Sequence, residues 1–119
     1  MDIQLKYIQT KQIDAIAAGD KGFKVELINI FLEQIEEFVS NMKAFTAGEN
    51  WVSLAREAHT AKSSALTFGM EETGLLLKKI QLDCEAGKTN NISELVTQAT
   101  ENLKIAKPEL HSLKESLES

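Results

Sequence analysis

The sequence predicts an all-α protein: an up-and-down antiparallel four-helix bundle with a short additional N-terminal helix. The first observation behind this is scarce punctuation. One proline, Pro108, and six glycines interrupt 119 residues, and the long stretches between them are filled with Leu, Ala, Glu, Lys and Gln, good helix formers. The second is that apolar residues recur every three or four places along those stretches, the period of one helix face. A hydrophobic content of 43% supports one core at this length, so residues 1–119 are expected to form a single domain. No repeat, low-complexity tract or long linker divides them.

Five helical segments follow in order. The first covers roughly residues 3 to 17 and ends at AGDKG, where Gly19 suits a left-handed turn and Asp20 suits the cap of the next helix. As the short extra helix, it is expected to lie as a lid across one end of the bundle. The second runs from about Lys21 to Ala47 with the stripe Leu27, Phe31, Ile35, Phe38, Met42 and Phe45, and stops at Gly48. Ile28, Leu32 and Val39 fall at its flanks. The spacing leaves open whether they face a partner or are covered, with Val39 expected to be covered. The third begins near Asn50, carries Trp51, Leu54, Ala58, Ala61, Ala65 and Phe68, and ends at Gly69. Its small residues allow a neighbouring helix to come close. The fourth spans about Glu71 to Ala86 with Leu76, Leu77, Ile80 and Cys84 inward, and closes at Gly87. The fifth opens at Asn91, with Glu94 three places on in a capping-box arrangement, and continues through Leu95, Ala99, Leu103 and Ala106. Pro108 is expected to kink or interrupt it, because proline lacks a backbone donor and crowds the preceding turn. Leu110, Leu113 and Leu117 extend the stripe beyond.

Charge and composition exclude several classes of function. Eighteen acidic residues against thirteen basic ones give a net charge of -5, which argues against gripping nucleic acid through its phosphates. No stretch approaches the roughly 18 apolar residues of a membrane span, and MDIQLKYIQTKQ has no basic segment leading into an apolar run. The single cysteine, Cys84, has no intrachain partner for a disulfide, which fits a reducing compartment; the expected location is cytoplasmic. His59, Cys84 and His111 lack any close ligand spacing, and HExxH and CxxC motifs are absent, so no metal site is expected.

The stretch AREAHTAKSSALTFG, residues 55–69, holds the residue that the bulk properties leave unexplained. At about 100° per residue, His59 projects roughly 130° from the centre of the stripe formed by Ala58, Ala61 and Ala65. It therefore faces water or a partner. Lys62 at i+3 and Ser63 at i+4 share its face, with Ala55 and Arg56 one turn before. An exposed imidazole is thus bordered by small side chains and two cations, leaving room for a second protein and placing positive charge near any anion carried on the ring.

Several residues here are in register with a known pattern: Ala58-His59, Lys62, Ser63-Ser64-Ala65, Gly69, Leu76 and Ile80. Upstream, GDKGFKVELINIFLEQ (residues 19–34) and the stretch from Trp51 to Leu54 add to it. Together they resemble the histidine-containing phosphotransfer (HPt) domain of two-component phosphorelays, most strongly over residues 19–82. The sequence departs from that pattern at Ala61 and Thr73, where leucine is usual, and at Ser63, where glycine is frequent. Serine is still small enough to let a partner approach, and Phe45, Phe68 or Leu77 are candidates to fill the lost core volume.

The resemblance implies that His59 is a phosphoryl acceptor and donor between receiver domains of response regulators, the donor being possessed in some systems by a hybrid sensor histidine kinase. It implies a phosphocarrier without autonomous catalysis and without a cofactor of its own, with Mg2+ supplied by the receiver. Lys62 is the candidate for steadying phosphate oxygens, the alternative being a solubilising lysine. Gln81 matches a position that in some relatives hydrogen-bonds the histidine, the alternative being a solvated helix glutamine. Ala55, Arg56, Ser63 and Leu66 would form the receiver docking face, and Gly69 is structural. The competing expectation is a non-catalytic HPt-like adaptor that keeps the bundle and acts by binding alone. A histidine-kinase dimerisation hairpin fits less well, since the sequence around His59 lacks the adjacent acidic residue usual in such hairpins.

Overall fold

The computed structural model describes residues 5–118, which fold into five helices: α1 Lys11–Ala17, α2 Lys21–Ala47, α3 Trp51–Thr67, α4 Glu71–Glu85 and α5 Ile92–Glu118. Helices α2 to α5 form the bundle. Each packs on its neighbour in sequence, α5 closes the ring against α2, and α3 packs most extensively on α4. At about 1.5 Å per residue, the two helices of 27 residues are each about 40 Å long. They set the long axis of a molecule measuring 47 × 22 × 20 Å.

Local chemistry fixes where the helices start. The Asp20 carboxylate accepts from the backbone N–H of Phe23 at 3.0 Å, and the Asn50 side chain accepts from that of Ser53 at 3.3 Å, so α2 and α3 each have a capped first turn. Glu71 and Glu72 place negative charge at the positive end of α4. The core is continuous from Ile8 to Leu113 and includes Ile28, Phe31, Ile35, Phe38, Met42, Leu54, Leu77, Ile80 and Leu103. Phe31 of α2 stacks on Phe68 at the end of α3, with ring centroids 4.5 Å apart. Phe68 and Leu77 are both buried, whereas Phe45 packs at the core margin.

Three sequence expectations change. The first helix is shorter than its stripe suggested: residues 5–10 are not helical, and α1 begins at Lys11, while residues 3 and 4 lie outside the described residues. The cause is long-range pairing. The backbone N–H groups of Tyr7 and Ile8 donate to the Glu109 carboxylate on α5, and Gln9 N–H donates to the Phe68 carbonyl at 2.8 Å. These donors are satisfied across the bundle end instead of along a helix. It is this strap, rather than α1 alone, that crosses the α3–α4 turn. Next, Ile28 is fully buried and Leu27 only partly so, which rotates the start of the α2 stripe by one residue; Leu32 and Val39 are half-buried at its edge. Finally, of the kink or interruption expected at Pro108, the interruption is absent: α5 continues to Glu118 with Leu110 and Leu113 buried. Pro108 and Lys104, whose carbonyl loses its donor, are both exposed, so water can serve that carbonyl.

Two glycines show how closely the parts approach. A Cβ on Gly69 would stand 2.5 Å from the Gln9 Cβ and 2.9 Å from its backbone nitrogen, and the residue has φ +72°. A Cβ on Gly74, in the first turn of α4, would stand 2.6 Å from the end of the Leu66 side chain on α3. Gly69→Ala is expected to destabilise the protein by about 2 to 3 kcal/mol, through left-handed strain and a clash with backbone, lowering the midpoint of urea unfolding. Gly74→Ala should remain within about 1 kcal/mol of wild type in the same measurement, because Leu66 can swing outward and alanine is the better helix former.

Candidate functional site

His59 leaves α3 on the side away from Ala58, Ala61 and Ala65, which are fully buried, and its ring is exposed. One face of α3 carries it together with Val52 and Leu66, at 72% and 43% exposure, spaced seven residues to either side. Three hydroxyls on this helix turn back on it. Thr60 donates to the Arg56 carbonyl, Ser63 to the His59 carbonyl and Thr67 to the Ser63 carbonyl. Ser63 therefore adds little relief beside the ring. Arg56 is exposed and Lys62 half-buried; among the described residues Lys62 has no ion-pair partner, so its ammonium is available to an anion.

The fourth helix supplies the other half of the site. Gln81 is half-buried, and its Oε1 lies 3.2 Å from His59 Nδ1. An amide oxygen only accepts, so Nδ1 carries the proton and Nε2 keeps its lone pair, directed outward. One turn further on α4, Gln81 Nε2 donates to the Glu85 carboxylate at 3.2 Å. Glu85 was not among the residues expected from the sequence, although its i+4 spacing from Gln81 was visible there.

These three residues line a groove of about 450 Å³ between α3 and α4, completed by Trp51, Val52, Ala55, Arg56 and Cys84. Of the expected docking residues, Ala55 and Arg56 lie in this groove, whereas Ser63 and Leu66 lie further along α3. Ala55 retains only 7% exposure, so it forms wall and core rather than open face. Gly69 lies at the far end of α3, under Gln9. Among the described residues no three His, Cys, Asp or Glu side chains gather in a way that could hold a metal ion. No helix there is long and apolar enough to cross a membrane.

Comparison with known proteins gives a consistent result. The model of the Hpt domain family matches residues 26–118. Phosphorelay protein LuxU of Vibrio cholerae serotype O1 is 31% identical over 103 residues, covering 83% of this chain and 88% of that protein. The crystal structure of histidine-containing phosphotransfer protein B (HptB) from Pseudomonas aeruginosa PAO1 superposes with a TM-score of 0.86 over 95% of this chain and 98% of that one. At 13% identity, the latter speaks for the fold alone.

Cys84 offers a chemical probe of the groove wall. Burial pushes its thiol pKa up, and the neighbouring Asp83 and Glu85 carboxylates push the same way. A raised pKa leaves less thiolate at every pH below it, and the thiolate is the reactive form. Alkylation of the native protein by iodoacetamide, followed by mass spectrometry, should be slower than for an unfolded control at each pH near neutrality, with its pH profile displaced upward.

Proposed function

Because this chain belongs to the Hpt domain family, we propose that His59 is the residue through which it carries phosphoryl groups. The chain is a phosphorelay intermediate, and its partners are receiver domains of response regulators. The observation that supports His59 above all is its exposed ring with Nδ1 tied to Gln81, which leaves Nε2 as the nucleophile.

Transfer then proceeds without a base on this chain. The Nε2 lone pair attacks the phosphorus of an aspartyl phosphate held by the donor receiver. As the N–P bond forms, the P–O bond to the aspartate breaks and its electron pair leaves with the carboxylate. The proton stays on Nδ1, so the ring becomes a phosphoryl imidazolium. In the onward step a carboxylate oxygen of the second receiver attacks phosphorus, and the N–P electron pair returns to Nε2. Lys62 steadies the phosphoryl oxygens during both passages. The divalent ion that neutralises charge in such transfers is Mg2+ bound by the receiver, and the chain acts as a carrier without catalysis of its own.

Docking uses the α3 face on which His59 stands. Arg56, Ser63 and Leu66, with Ala55 behind them, present a low surface with a positive rim. A receiver's active-site cleft, built around acidic side chains, complements that rim. The receiver of a hybrid sensor histidine kinase is the proposed donor, and such exchange would take place in the cytoplasm.

The decisive experiment exposes wild type and His59→Gln to a phosphorylated receiver and magnesium, and assays acid-labile, alkali-stable label. Label should appear in wild type alone. Its absence from wild type across a broad receiver panel would instead favour an adaptor that binds without carrying phosphate. Since His59 is exposed, His59→Gln should unfold within about 0.5 kcal/mol of wild type. Lys62→Ala should slow transfer about tenfold, with folding unchanged.

A further inference from the structure

An amide has one accepting end and one donating end, so which end of Gln81 faces His59 decides the tautomer of the ring. We infer that Glu85 is a positioning residue that sets this orientation, and through it makes Nε2 of His59 the nucleophilic nitrogen. The inference rests on His59 as the phosphoryl carrier and adds a residue that acts on it from α4.

The geometry runs outward from the carboxylate. An ionised carboxylate accepts and cannot donate, so the Gln81 group turned to Glu85 must be the NH2, as the 3.2 Å contact of Nε2 with the Glu85 carboxylate shows. The opposite end, Oε1, is thereby aimed at His59 Nδ1, also at 3.2 Å. Because Oε1 cannot donate, Nδ1 must. Carboxylate, amide and imidazole form one directed chain along the wall of a single groove.

Without Glu85 the amide has a second choice. Rotation about its last side-chain bond is soft and roughly two-fold. The flipped amide would offer NH2 to Nδ1, which would then accept while Nε2 carried the proton. A free imidazole side chain already favours that second tautomer, in which the outward nitrogen has no lone pair to attack phosphorus. Glu85 therefore works against an intrinsic preference. Once Nε2 is phosphorylated the ring is positive, so the hydrogen bond from Nδ1 becomes charge-assisted, and the Glu85 carboxylate beyond the amide strengthens it further.

Glu85→Gln separates this role from a steric one. Glutamine keeps the length and shape of the side chain but can donate as well as accept, so it no longer dictates which end of Gln81 faces inward. In a His111→Gln background, which leaves His59 as the only histidine, long-range proton–nitrogen NMR correlations of the neutral ring would report the tautomer directly. The Nδ1–H form should dominate with Glu85 present. Glu85→Gln and Glu85→Ala should both show substantial Nε2–H form, and phosphoryl uptake from a receiver should slow about threefold in each. An unchanged Nδ1–H tautomer in both variants would overturn the inference even if transfer slowed, since slowing alone would assign Glu85 to docking. A dominant Nε2–H form with Glu85 present would overturn it as well. Failure of His59 as the carrier would show separately, as absence of label from wild type, while the NMR comparison would still decide what Glu85 does.

Discussion

The site depends on how closely α3 and α4 approach one another. Helix axes in proteins lie about 8 to 10 Å apart, with the side chains at the contact setting where in that range a pair falls. Here α3 offers Ala58, Ala61 and Ala65, all fully buried, and α4 offers Gly74 beneath the Leu66 side chain. That approach lets a glutamine on α4 reach a histidine that points away from the core. With larger residues along the seam, Gln81 and His59 would both be separate, solvated surface side chains. Gly74, in the first turn of α4, gives up some intrinsic helix propensity, which the helix pair tolerates for closeness.

What holds the seam in register comes from outside it. Glu109 on α5 and the Phe68 carbonyl at the end of α3 both take hydrogen bonds from residues 7–9, so one short non-helical segment ties α5 to the α3–α4 turn. The Phe31–Phe68 stack ties the same end of α3 to α2. Further along, Ser64 donates to Gln34 and Asn41 donates to Glu57, two more links between α2 and α3. The rotation of α3 about its axis, and hence the direction of His59, is therefore set by contacts on the two sides that face away from the ring. The exposed face is left free to meet a partner.

Much of this was legible in the sequence because the governing interactions are local. Caps at Asp20 and Asn50 lie within three residues of the groups they satisfy, and the apolar stripes report burial within one helix. The exposure of His59 followed from its angle to three alanines on the same helix. The misses share a cause. The non-helical course of residues 5–10 is decided by Glu109, about a hundred residues away, so nothing nearby announced it. The continuity of α5 through Pro108 depends on which side of the bundle meets water. Ala55 looked like a neighbour of His59 on an open face, yet a second helix buries it. For Glu85 the spacing from Gln81 was readable; its consequence required knowing which end of an amide faces which neighbour.

A carrier works under a constraint that an enzyme acting on a substrate does not meet, because it must give up what it takes. A group that stabilises the phosphorylated ring more than the transition state deepens that resting state and slows release, since binding energy that favours a resting state does not lower the barrier out of it. The surroundings of His59 respect this. Lys62 is one half-buried cation, and Arg56 stands at the groove, while the Glu85 carboxylate is held behind the Gln81 amide. In the proposed role of His59, the two cations on α3 attract phosphate oxygens, while the carboxylate on α4 acts on the ring through the amide. The orientation of the ring is fixed through its far nitrogen, at no expense to the bond that must form and break. In the role proposed for His59, its solitary look in the sequence follows from this division: the chain supplies aim, and the receivers supply the charge that drives transfer in either direction.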